Sequence, residues 1–168
     1  MPTKINTHLG NKCKLNLQQY LYCNNYKYHY IDASGMKIEF EYLNDSTYYD
    51  QSGLGLQLTI NSNLYTITDA LGNKMVFKNE RLIKTISCES NQITKLYEYD
   101  NVGKLIKAYD ERTPDTRFEF KYDEDNYLCE VETYIKNKLK YKFKYIYDTN
   151  NNLIAIKKEQ NKMLTISK

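Results

Sequence analysis

Hydrophobic and polar residues alternate with a period of two along much of this chain. In Lys140-Tyr141-Lys142-Phe143-Lys144-Tyr145-Ile146-Tyr147 the rings of Tyr141, Phe143, Tyr145 and Tyr147 fall on one face, with the lysines on the other. Arg117-Phe118-Glu119-Phe120-Lys121-Tyr122 repeats the arrangement, placing Phe118, Phe120 and Tyr122 inward and charges of both signs outward. Lys37-Ile38-Glu39-Phe40-Glu41-Tyr42 does so again nearer the N-terminus. Strands with one solvated face belong to antiparallel sheets. The pattern predicts strands over 14–22, 27–31, 36–42, 47–50, 54–60, 64–68, 74–78, 81–88, 92–99, 104–109, 116–122, 127–134, 139–147, 153–159 and 163–167. No segment carries apolar residues at helical spacing without a turn signal interrupting it, so the chain reads as all-β.

The turns share a grammar. Tyr99-Asp100-Asn101-Val102-Gly103-Lys104-Leu105 is echoed by Tyr122-Asp123-Glu124-Asp125-Asn126-Tyr127-Leu128 and by Tyr147-Asp148-Thr149-Asn150-Asn151-Asn152-Leu153, at intervals of 23 and 25 residues. A fixed period of this size marks a repeat architecture. The Asp side chain can accept from the backbone N–H two residues on and so nucleate a type I turn. Three positions after it the chain needs φ > 0, and Gly103, Asn126 and Asn151 are the residue types that tolerate it. The same spacing occurs at Asp32–Gly35, Asp50–Gly53 and Asp69–Gly72. After the last three turns, Leu105 and Ala108, Leu128 and Val131, and Leu153 and Ile156 stand three apart where a flat strand wants two or four. Either both sheet faces are partly covered there or a β-bulge shifts the register, and the bulge is the reading preferred.

Composition narrows the class. The chain has 168 residues, with 18 Tyr, 5 Phe and no Trp, enough for one domain whose core is built from amphipathic rings. Residues 1–78 read as irregular N-terminal hairpins and 79–168 as the repeat region. The net charge of +3 is too small to imply a nucleic-acid partner. Residues 135–168 hold nine lysines against Asp148 and Glu159, which reads as a solvated, lysine-protected set of terminal strands. Cys13, Cys23, Cys88 and Cys129 show no metal-ligand spacing and are expected to be buried free thiols. No run of about 18 apolar residues suggests a membrane span, and the opening residues lack the apolar stretch of a signal peptide.

The three Tyr-Asp-x-x-Gly/Asn-x-Leu units between Tyr99 and Leu153 resemble the YD repeats of the bacterial Rhs (rearrangement hotspot) family. That family includes polymorphic toxins, Gram-positive wall-associated proteins, the C component of insecticidal toxin complexes and the YD shell of teneurins. Gly10 to Leu15, Tyr30-Ile31-Asp32-Ala33-Ser34-Gly35 leading to Phe40, and Asp69-Ala70-Leu71-Gly72-Asn73 leading to Phe77 fit more loosely. The resemblance implies stacked antiparallel hairpins forming an open segment of a hollow β-sheet shell that encloses a toxin or other cargo. It also implies a secreted or surface location within a larger protein, with the remaining repeats or the toxin domain as partners. The family's self-cleaving aspartates lie in an Asp-Pro motif. This chain has none, its prolines following Met1 and Thr113, so no cleavage is implied. Glycine-rich MORN and tryptophan-rich choline-binding repeats are excluded by six Gly and no Trp.

Candidate chemistry is sparse. His8 and His29 are too few for a catalytic triad, and His29, between Tyr28 and Tyr30, reads as a sheet-surface residue. Asp123, Glu124 and Asp125 crowd one turn without the alternating ligands of a calcium loop. Glu39 with Glu41, and Glu130 with Glu132, share strand faces as surface charge does, although a glycosidase pair has the same composition. Lysines and rings at 140–147 lie on opposite faces and cannot grip one nucleic-acid strand. The reading is a non-enzymatic structural segment without metal or cofactor. The alternative is a module whose aromatic sheet face binds cell-wall glycan or protein, and the unpaired edges of an open array are expected to self-associate.

Overall fold

A computed structural model describes Leu9, Leu15 and residues 17–89 and 94–160. The described residues are all-β and contain no helix. They fall into two compact units, the first holding Lys14–Tyr97 and the second Glu98 onward together with the stretch around Leu9. Within each unit strand order follows chain order, every strand antiparallel to the next.

The first unit contains β1 (Tyr20–Asn24), β2 (Lys27–Ile31), β3 (Lys37–Asn44), β4 (Thr47–Asp50), β5 (Gln57–Asn61), β6 (Leu64–Thr68), β7 (Lys74–Lys78) and β8 (Arg81–Ile86), and the start of β9 (Thr94–Tyr99). The strand expected from residue 14 begins only at Tyr20, because Gln18 N–H bonds to the Leu15 carbonyl (2.9 Å) and turns the chain first. β1 also pairs with β8, Tyr20 opposite Arg81, and Leu21 N–H donates to the Glu80 carbonyl at 3.1 Å. Eight strands therefore close into a barrel. An open array was expected, and the closing pair leaves less of the β1 edge for edge-to-edge association. The seam forms where β8 changes partner. Phe77 pairs with Leu82 and Val76 with Lys84, so Ile83 is an extra, bulged residue. Before the bulge β8 meets β1; after it, Lys84–Ile86 pair with β9.

Alternation decides what fills the lumen. Phe40, Leu58, Ile67, Phe77 and Leu82 are at most 1% exposed, and an eight-stranded barrel is just wide enough for such side chains to fill. Rings meet across it: Tyr30 on β2 lies 5.7 Å from Phe77 on β7, edge to face. The Tyr30 hydroxyl donates to Gln19 Oε1 and lies 3.3 Å from Met75 Sδ, so the segment before β1 packs at that end.

The second unit contains the end of β9 and β10 (Leu105–Asp110), β11 (Arg117–Tyr122), β12 (Leu128–Ile135), β13 (Lys138–Tyr147) and β14 (Leu153–Gln160). Phe120, Val131 and Phe143 form one cross-strand row, flanked by buried Leu128 and Ala108. Phe118, expected inward, is 46% exposed; it pairs with Thr133, whose short side chain gives it little cover. The expected bulges are present where the register is defined. Tyr122 pairs with Leu128 and Lys121 with Glu130, leaving Cys129 extra. Tyr147 pairs with Leu153 and Ile146 with Ala155, leaving Ile154 extra. The strand expected over 163–167 lies outside the described residues.

Candidate functional site

The Asp turn is the most repeated local structure of the chain. At Asp32, Asp69, Asp100, Asp123 and Asp148 the Asp N–H bonds to the carbonyl four residues on at 2.9–3.0 Å. The N–H three residues on returns to the Asp carbonyl at 3.0–3.1 Å, and a carboxylate oxygen takes the fourth N–H at 2.7–2.9 Å. The positive-φ position is filled as the spacing requires: Gly35, Gly72, Gly103, Asn126 and Asn151 have φ of 61–92°. This is a type I turn closed by a left-handed residue. Asp50 departs from the pattern. Gly53 has φ of 74°, but the loop runs two residues longer, Asp50 N–H meeting Leu56 O. There the carboxylate is nearly buried and accepts from Leu54 N–H (3.0 Å) and Leu56 N–H (2.6 Å).

At four of the turns these bonds favour the ionised carboxylate. For Asp32 and Asp50, burial pushes the pKa up, but the hydrogen bonds each accepts outweigh it and hold the group below the ordinary value. Asp69 and Asp148 are lowered first by the side chains of Asn73 and Asn152. A carboxylate occupied by its own loop is a poor proton donor or metal ligand. The Asp123 carboxylate is engaged in the same way, its oxygen taking Tyr127 N–H at 2.7 Å.

Two tyrosines that directly precede a turn Asp reach outside their own turn. Tyr122 donates its hydroxyl to the Leu105 carbonyl at 2.8 Å, and Tyr147 to the Leu128 carbonyl at 2.7 Å. Leu105 and Leu128 end the preceding repeats' turns, so each Tyr ties its repeat to the one before. Lys104 adds to the first tie, donating to Asn126 Oδ1 and lying 5.0 Å from the Tyr122 ring centroid.

The paired carboxylates Glu130 and Glu132 form a closed lattice. Lys121 on β11 reaches both, at 2.8 and 2.9 Å, and Lys142 on β13 reaches both, at 3.0 and 3.2 Å. Tyr134 donates to Glu132 at 3.0 Å. Glu132 is 4% exposed. Burial pushes its pKa up, but Lys121, Lys142 and Tyr134 outweigh this and hold it at about 2. Glu132 is therefore not placed to deliver a proton near neutrality. The lysine-rich β13 is thus only partly the solvated face its composition suggested: Lys144 meets Glu159 at 2.9 Å, and Lys158 of β14 lies 4.3 Å from the Tyr141 ring.

His29 corrects its surface reading. It points away from the lumen that Tyr28 and Tyr30 face, yet is only 4% exposed. Its Nδ1 has no hydrogen-bond partner and lies 3.6 Å from Glu39 Oε2, while Lys27 binds the other Glu39 oxygen. Burial, then Lys37, push the His29 pKa down, with Glu39 opposing. His8 lies outside the described residues. The thiols also differ from expectation: Cys23 and Cys88 are exposed and Cys129 is half-buried. Cys129 occupies the extra position of a bulge, its thiol 3.4 Å from the Lys121 carbonyl, and Cys23 pairs with Tyr28 one residue before the end of β1. Cys13 is outside the described residues. A shallow open groove of about 390 Å³ is lined by side chains that include Lys74, Lys95, Glu89 and Asp69. Its Asp69 carboxylate is already taken by Asn73 and Leu71.

Glu39 and Glu41, on one strand face as expected, are separately engaged by Lys27 and by the Tyr49 hydroxyl (2.9 Å). The sequence reading missed the hydroxyl ties and the ion lattice, because both depend on cross-strand register. In comparisons with known proteins, no family model and no curated protein matches the chain.

Proposed function

We propose that the chain is a non-catalytic structural segment: a YD-repeat section of the β-sheet shell of an Rhs-type secreted or surface toxin, whose partners are further repeats or a cargo domain. The observation that carries this reading is the tie from Tyr122 to Leu105 and from Tyr147 to Leu128. The carbonyls of Leu105 and Leu128 each receive the Tyr hydroxyl of the following repeat, a contact that further repeats could continue. The absorbed carboxylates of the turns and the lattice favour scaffold over catalyst. The alternative, binding through the aromatic sheet face of the second unit, has less behind it. Phe120 is buried there, and Tyr141, Phe143 and Tyr145 are half-covered.

The test is to determine, in the source cell, the full reading frame around this chain and the fraction in which its product resides. Further Tyr-Asp repeats leading to a toxin domain, with the product at the surface or in the medium, is the expected result. A product with neither, retained inside the cell, would overturn the proposal.

A further inference from the structure

Among the described residues, His29 Nδ1 is the buried side-chain polar atom left without a hydrogen-bond partner. Leaving such a group unpaired costs about 1–3 kcal/mol, and a fold that carries one has a reason for it, an ion or an ordered water among them. Register fixes its surroundings. Tyr22 on β1, His29 on β2 and Glu39 on β3 stand directly opposite one another. The Tyr22 ring packs on the imidazole, 5.2 Å between centroids and tilted by 38°. Neither β2 nor β3 is an edge strand, so the backbone that carries His29 and Glu39 is held on both sides. Sites built on such strands keep their geometry.

The spacing of the two groups is informative. Nδ1 and Glu39 Oε2 are 3.6 Å apart, beyond the roughly 2.7–3.2 Å of an N–H···O hydrogen bond. Two ligands of one tetrahedral cation, each bonded at about 2.0–2.2 Å, stand about 3.3–3.6 Å from each other. The pair therefore has the spacing of neighbouring corners of a coordination tetrahedron. One imidazole nitrogen with one carboxylate oxygen suits zinc, nickel or copper(II) better than magnesium or calcium, which take oxygen ligands. A neutral imidazole keeps a lone pair on one ring nitrogen, and burial together with Lys37 favours the neutral ring. Two cations oppose a metal here. Lys27 holds Glu39 Oε1, and Lys37 acts on the same imidazole. The Lys27 side chain is 54% exposed, however, and can swing into solvent, and Glu39 is itself 30% exposed, which opens an approach from water.

We propose that His29 Nδ1 and Glu39 Oε2 bind a late first-row divalent cation such as zinc, with Lys27 displaced and water filling the remaining positions. The ion clamps β2 to β3 on the outer face of the barrel and gives the buried nitrogen the partner that the chain does not supply. With two protein ligands the site is weaker than a closed four-ligand one. It uses none of the repeat contacts and is independent of the scaffold reading.

The test is titration of the full chain, stripped by a chelator, with zinc alone near neutral pH, followed by nitrogen NMR of its two imidazoles. Ring signals report this site directly, so zinc taken by the exposed thiols of Cys23 and Cys88 is not mistaken for it. His29→Gln identifies the His29 signals by their loss. In the wild type these signals should shift saturably with zinc and stay in place with magnesium. Glu39→Gln should weaken the zinc response about tenfold or more. Lys27→Met removes the competing ammonium and should strengthen it. Glu41→Gln makes the same charge change two residues along the face, at a carboxylate engaged by the Tyr49 hydroxyl, and should leave the response nearly unchanged. No saturable shift of the His29 signals, an equal response to magnesium, a wild-type response in Glu39→Gln, or a weaker one in Lys27→Met would overturn the proposal.

Discussion

In the first unit Tyr30 and Phe77, on β2 and β7, meet across a closed lumen. In the second, Phe118 on β11 keeps 46% of its surface exposed, and the strongest side-chain contacts are ionic. Both units use the same Asp turn, with the same bond lengths to within about a tenth of an ångström. The turn therefore sets hairpin geometry without deciding how the hairpins assemble. Assembly is decided by what faces inward and by where a strand changes partner. In the barrel a bulge at Ile83 lets β8 serve β1 and β9 in turn, and the aromatic core holds the ring shut. Among the described residues, β14 pairs with β13 alone.

The largest test of this contrast is removal of a lumen ring. Phe77 is fully buried, so Phe77→Ala should cost about 3–5 kcal/mol in urea unfolding. Phe118→Ala, at a half-exposed ring, should cost under about 1.5 kcal/mol. Hydrogen exchange should localise the first loss to β6–β8. Equal costs would mean that the lumen does not organise the first unit.

Acid should separate the units by where their loss begins. His29 in the barrel has its pKa lowered by burial and by Lys37. In the window between its folded and unfolded values the unfolded chain binds more protons, so stability falls as pH drops below the ordinary 6.5 and levels off beneath the folded value. Glu132 behaves differently. Its carboxylate is held at about 2 against an ordinary 4.5, so its contribution is complete above 4.5 and is lost as pH falls towards 2. That loss is on the order of 1–3 kcal/mol. Denaturation followed from pH 7 to 2 should show exchange protection in β1–β3 weakening first. His29→Gln should remove the early phase and Glu132→Gln should reduce the late one. A single transition unaltered by either variant would refute the assignment.

How much of this was legible beforehand depends on the range of the interaction. The Asp turns, Gly103, Asn126 and Asn151 were readable because every contact that fixes them lies within four residues. The bulges at Cys129 and Ile154 left a trace in the three-residue spacing of Leu128–Val131 and Leu153–Ile156. Barrel closure left none. It rests on Tyr20 and Arg81, far apart in sequence, and on rings that alternate whether a sheet is open or closed. The burial of His29 was hidden for the same reason: period-two patterning tells which way a side chain points, and says nothing of what covers the outer face.

The smallest expected effects lie in the ties between repeats. Tyr122→Phe deletes the hydroxyl that donates to Leu105 O and keeps the ring, so the loss is one hydrogen bond, about 0.5–1.5 kcal/mol. Tyr147→Phe should cost the same at Leu128 O. Because the two hydroxyls act on different carbonyls, the double variant should lose the sum of the single losses. Tyr26→Phe, at a turn ring 98% exposed in the barrel unit, should cost nothing measurable. Urea midpoints for the four chains decide the matter. If Tyr122→Phe and Tyr147→Phe unfold like Tyr26→Phe, the repeats are joined by backbone pairing alone, and the Tyr of the Tyr-Asp pair is present for its ring. If they lose stability in equal steps, the second unit is held by a contact that recurs with each repeat, whereas the barrel is held by a core that closes once.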